Sequence, residues 1–135
     1  MDASPELRDL TKRLAEAVGA GDAAFLERHT SGQAGLTFLG TDPDEWWTDA
    51  AGLTRALAAQ QGAGITVLPG EPLAYREGDI GWAVDRGLRF RVGDREIPWR
   101  LSVVYRREDG EWKMVHFHGS IGVPNAEAVG FELPT

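Results

Sequence analysis

The sequence predicts an α+β domain whose helices come early and whose strands come late. Two observations carry that prediction. Leu7, Leu10, Leu14 and Val18 repeat at helical spacing, whereas from Gly64 onward the chain falls into extended runs separated by Gly-Asp or Asp-Gly turns. Tyr105 to Asn125 is the most informative stretch, because it reads as a closing hairpin. Its polar break, Arg107-Glu108-Asp109-Gly110-Glu111, contains an Asp-Gly pair that tolerates positive φ, and Val, Trp, Tyr and Phe flank it on both sides.

Taken from the start, Ser4-Pro5-Glu6 supplies an N-cap and a proline at the first helical position, so residues Ser4 to Val18 form an amphipathic helix. Gly19 and Gly21 end it. Asp22 caps a second, short helix carrying Phe25 and Leu26, which Thr30-Ser31-Gly32 stops. Leu36 to Leu39 reads as a strand. Thr41 to Trp47 is a capped turn leading into a third helix near Glu45 to Gln61, with Leu53, Ala56 and Leu57 inward. Four strands follow, at Ile65 to Tyr75, Ile80 to Arg91, Glu96 to Arg107 and Glu111 to Ile121, giving the order ααβαββββ. Residues 1–125 are expected to make one domain, and 126–135 a tail, carrying Phe131, that lies along the surface or reaches a partner subunit.

Composition narrows the function. At 135 residues and 42% hydrophobic, the chain closes one core without metals or staples. It has no cysteine, which removes disulfides, thiolate metal sites and thiol nucleophiles. A net charge of −7, with twelve arginines scattered among carboxylates, argues against nucleic acid. No run of about 18 apolar residues would span a membrane, and Met1 to Pro5 lacks the regions of a signal peptide, so the expected location is the cytoplasm. The preference for arginine over lysine, with abundant Ala and Gly, hints at a bacterial source.

The run EDGEWKMVHFHGS, followed by Pro124, resembles the closing strand of the nuclear-transport-factor-like superfamily. That superfamily includes SnoaL-like cyclases, ketosteroid isomerase-like proteins and the association domain of calmodulin-dependent kinases. The association domain ends in Asp-Gly-Lys-Trp, two linking residues and Val-His-Phe-His-Arg-Ser. Asp109, Gly110, Trp112, Val115, His116, Phe117, His118 and Ser120 match it, and Gly119 stands where it has arginine. The order of elements extends the resemblance to most of the chain. It implies a curved, mixed or antiparallel sheet wrapped around three N-terminal helices and a cone with a mouth for a small apolar molecule. An exposed sheet face bearing Trp112, His116 and His118 would need covering, so a homodimer is expected. Isomerase, cyclase or dehydratase chemistry by general acid–base catalysis without a cofactor is one function the resemblance implies. A non-catalytic oligomerisation or ligand-sensing module is the other.

Several residues are candidates for that chemistry. His116 and His118 alternate on a strand and so share one side of the sheet. An imidazole at a cavity mouth can serve as acid or base, but the spacing offers no third metal ligand, and no metal or cofactor is expected. If Val115, Phe117 and Gly119 face the helices, both histidines turn outward. The opposite phase puts Met114, His116, His118 and Ser120 inside, and a bulge between Trp112 and His116 would switch phases locally.

Arg100, in the middle of a strand, must find a carboxylate or a ligand anion if it is buried. Asp85 shares a side with Gly81 and Ala83 and could project into the space they leave. The resemblance to ketosteroid isomerase-like proteins makes it a candidate raised-pKa carboxylate, although helix one has no tyrosine to complete the isomerase set. The association domain's pocket arginines fall at Gly119 and Val103, so its manner of holding small acids does not carry over. Phe38, Trp47, Trp82, Trp99 and Tyr105, together with Arg100, are the expected ligand-binding residues, and Trp46 adds a further aromatic. Asp42, Asp44 and Glu45 read as helix-capping carboxylates.

Overall fold

Local caps set the helices. Ser4 Oγ accepts the Leu7 amide at 3.3 Å and Pro5 opens α1 (Pro5–Ala20), which ends where Gly21 takes φ 64°. Asp22 Oδ1 accepts the Phe25 amide at 3.1 Å to start α2 (Ala23–Arg28). Asp49 Oδ1 accepts the Gly52 amide at 2.7 Å to start α3 (Ala50–Gly62). The computed structural model, which describes residues 1–134, adds a short C-terminal α4 (Asn125–Val129).

The strands are β1 (Asp2–Ala3), β2 (Thr37–Leu39), β3 (Trp46–Trp47), β4 (Ile65–Leu68), β5 (Leu73–Glu77), β6 (Ile80–Val92), β7 (Arg95–Glu108) and β8 (Glu111–Ser120). They form one curved, unclosed, eight-stranded sheet in the order β1-β5-β6-β7-β8-β2-β3, with β4 also paired to β6. Every pairing is antiparallel except β2 with β8, so the sheet is mixed. The expected α+β class and wrapped sheet hold. The hairpin between β7 and β8 turns on Asp109 at φ 49° and Gly110 at φ 82°, the conformation an Asp-Gly pair accommodates.

Two boundaries differ from the sequence reading. Trp46 and Trp47 do not open the third helix. They pair with Leu39 and Phe38 as β3, because the turn 40–45 closes back on itself and Asp49 provides the helix cap. The run Ile65 to Tyr75 is also two strands. Pro69-Gly70-Glu71-Pro72 interrupts it, and the pieces pair with opposite ends of β6, on either side of a bulge between Asp85 and Leu88.

The core lies between the helices and the sheet's inner face. Leu7, Leu10 and Leu14 of α1 and Leu53 and Leu57 of α3 pack with Val103, Tyr105, Trp112 and Phe117. Each such side chain, fully buried, contributes about 1.5–3 kcal/mol. Tyr105 is wholly buried, and its hydroxyl is 2.8 Å from Thr11 Oγ1, which donates to the Leu7 carbonyl at 2.7 Å. Phe38, also fully buried, lies 5.6 Å from the Phe117 ring. The core thus absorbs two of the expected ligand-binding residues.

A bulge decides the phase of β8. Tyr105 pairs with Met114 and Val104 with His116, leaving Val115 as the extra residue. Trp112 and Met114 therefore face inward before the bulge, and Phe117 and Gly119 face inward after it. His116 and His118 turn to the outer face.

Candidate functional site

A cavity of about 70 Å³ opens between α1, α3, the inner face of β7 and β8, and the turn from Gly40 to Glu45. Its walls are apolar. Leu14 and Val18 come from α1, Leu53 and Leu57 from α3, and Trp99, Val103, Met114 and Phe117 from the sheet. Trp47, carried by β3, lines it beside the turn. Trp99 stacks on Phe90 at 4.5 Å, and its buried Nε1–H has no hydrogen-bond partner among the described residues.

The polar side chains at this cavity are Thr41, Glu45 and Gln60. Among the described residues Glu45 is the one carboxylate there, and three features fix it. Gln60 Nε2 donates to its Oε1 at 3.1 Å, and the Asp42 amide donates to its Oε2 at 3.1 Å. Gly40 leaves room for it, since a β-carbon there would collide with the carboxylate. The backbone closes the same turn, with the Gly40 amide on the Glu45 carbonyl at 2.9 Å and the Glu45 amide on the Asp42 carbonyl at 3.0 Å. Sequence reasoning takes Glu45 for a helix cap and misses Gln60. The available signal is a carboxylate five residues after a glycine, with a glutamine on the helix that follows.

Of the residues singled out from the sequence, Trp47 and Trp99 line the cavity. His116 and His118 lie on the outer face because of the Val115 bulge. His116 Nδ1 is 2.9 Å from Thr37 Oγ1, and His118 is exposed between Ser102 and Leu39. Trp82 is also outward, stacked with Tyr75 at 6.2 Å. Arg100 is exposed on the outer face, so it needs no buried partner, and its guanidinium lies near Gly122.

Asp85 is inward and 2% exposed, as its parity with Gly81 and Ala83 suggests, but it does not line the cavity. Its Oδ2 accepts the Gly70 amide at 2.9 Å and its Oδ1 the Gly87 amide at 2.8 Å. Both oxygens are occupied in holding the β4–β5 break against the β6 bulge.

The third histidine lies elsewhere. His29 Nδ1 is 3.1 Å from the Trp112 carbonyl, which can only accept, so Nδ1 carries the proton. Burial lowers its pKa, helped by the positive charges of Arg28 and Lys113 and opposed by the Trp112 hydrogen bond and Glu111. Close by, burial pushes the Glu108 carboxyl up, but Ser31 and Arg106 outweigh that and hold it below the usual carboxylate range.

On the outer face, strand register assembles a row across the sheet: Leu73, Val84, Ser102, His118, Leu39 and Trp46. A second row holds Tyr75, Trp82, Val104, His116 and Thr37.

The family model of the SnoaL-like domain matches residues 7–124, nearly the whole span from the first helix through the last strand. The chain belongs to the SnoaL-like family. No curated protein sequence matches this SnoaL-like chain. Solved structures do. A nuclear-transport-factor-2-like protein of unknown function from Pseudomonas putida KT2440 is 20% identical, with a TM-score of 0.76 over 96% of this chain and 94% of that one. A candidate calcium/calmodulin-dependent protein kinase II association domain from Xanthomonas campestris is 18% identical, with a TM-score of 0.69 over 87% and 86%. A candidate ketosteroid isomerase from Parabacteroides distasonis ATCC 8503 is 19% identical, with a TM-score of 0.67 over 87% and 86%. At these identities the likeness is one of fold. Among the described residues, no helix is long and apolar enough to cross a membrane.

Proposed function

We propose that this SnoaL-like protein binds a small, mostly apolar organic molecule in its cone. The observation that carries the reading is the open cavity with apolar walls and a fixed carboxylate, a lining of the kind that small-molecule sites use. Isomerase, cyclase or dehydratase chemistry would need a proton-transfer group against the ligand, and Glu45 is the carboxylate lining the cavity.

The chain offers its own reporter. It has two methionines; Met114 lines the cavity and is 6% exposed, while Met1 is 73% exposed. With methyl-labelled methionine, small branched alcohols should move the Met114 NMR line and leave Met1 still. A Met114 line that stays put at saturating alcohol would overturn the reading.

A second reading, self-assembly, draws support from the outer face, where Leu73 and Trp46 are 62% and 63% exposed at opposite ends of one row. A homodimer covering that face would bury them. Light scattering should then give twice the chain mass, falling to a single chain in Trp46→Lys. A monomer in the unaltered protein removes this reading.

A further inference from the structure

We infer that the molecule held in the cone carries a hydrogen-bond-donating head, a primary ammonium group, which Glu45 receives. The inference rests on the binding reading above and adds the ligand's chemical class. Its basis is the contrast between one anchored carboxylate and walls that are otherwise nearly all apolar. Each Glu45 oxygen accepts one bond, Oε1 from Gln60 and Oε2 from the Asp42 amide. A carboxylate has about four lone-pair sites, so acceptor capacity is left on both oxygens.

The support is positional as well as chemical. Gly40 supplies the space for the carboxylate, α3 supplies Gln60, and the 40–45 turn supplies the Asp42 amide, so the anion cannot swing away without losing bonds from two elements. A helix cap would require none of this, and α3 takes its cap from Asp49. Half-buried beside apolar walls, the carboxylate gains most from a cation and is poorly served by a second anion. Among the described residues, no arginine or lysine lines the cavity to neutralise it. The cavity, about 70 Å³, has room for roughly five water-sized groups, which suits a short branched or cyclic hydrocarbon body with the head at Glu45.

A matched series tests this with one body and three heads: 3-methylbutylamine, 3-methylbutanol and 3-methylbutanoate. Titrated against the Met114 methyl line at neutral pH, the amine should bind at least about tenfold more tightly than the alcohol, and the carboxylate should bind most weakly. Added salt should weaken the amine and leave the alcohol unchanged. In Glu45→Gln the amine should lose its advantage over the alcohol. If the alcohol moves the Met114 line and the amine binds no better, the ammonium class is wrong and the binding reading stands. If none of the three moves it, the binding reading itself fails. The ranking in the unaltered protein decides the question even where Glu45→Gln does not fold.

Discussion

The indole of Trp99 lies across Gly119, so close that a β-carbon on the glycine would stand 2.5 Å from Cζ2 and 2.6 Å from Nε1. Trp99 and Gly119 sit on neighbouring strands, and the glycine is buried. The ring lines the cavity, so an aromatic plane forms part of its apolar wall.

Gly119→Ala should therefore destabilise the protein by about 1–3 kcal/mol, because a rigid ring cannot yield as a flexible side chain would. Urea unfolding measures the loss. Trimming the ring in Trp99→Leu should recover part of it, so the double variant would show a coupling of at least about 0.5 kcal/mol. Additive losses would mean that the two residues do not press on each other.

Asp85 leads to a different expectation. Both its oxygens accept backbone amides, from Gly70 and Gly87, and the side chain is almost wholly buried. Asp85→Asn turns an amide N–H toward one of those donors, so stability should fall by about 1.5–3 kcal/mol. The response of the Met114 line to small alcohols should survive, since Asp85 does not line the cavity. A variant with full stability and no alcohol response would make Asp85 a ligand-binding residue instead of a brace.

What could be read from the sequence follows from what is local. The caps Ser4 and Asp22, the stripe from Leu7 to Val18 and the Asp109-Gly110 turn act within a few residues, and each appears where the chain announces it. The third helix shows the limit. Leu53 and Leu57 define its face but not its start, and the carboxylates from Asp42 to Asp49 offer rival caps, so Trp46-Trp47 looks helical although it pairs with β2. The side occupied by His116 and His118 depends on one extra residue, Val115, whose bulge is set by cross-strand register and leaves no mark in the pattern. Glu45 is hardest to see, because its role depends on Gln60, fifteen residues later, and on empty space at Gly40.

His29 gives stability a pH dependence with a definite sign. Its pKa in the folded chain is below the ordinary 6.5, chiefly because burial disfavours the cation. Between the lowered value and 6.5 the unfolded chain binds the proton and the folded chain does not, so stability rises with pH. The contribution is complete above 6.5 and is lost as pH falls through the folded-state value. His29→Asn keeps an N–H that can reach the Trp112 carbonyl but cannot titrate. Urea midpoints of that variant should vary less between about pH 7 and 5 than those of the unaltered chain, a window above most carboxylate titration. Equal slopes in the two proteins would show that protonating His29 costs the fold nothing.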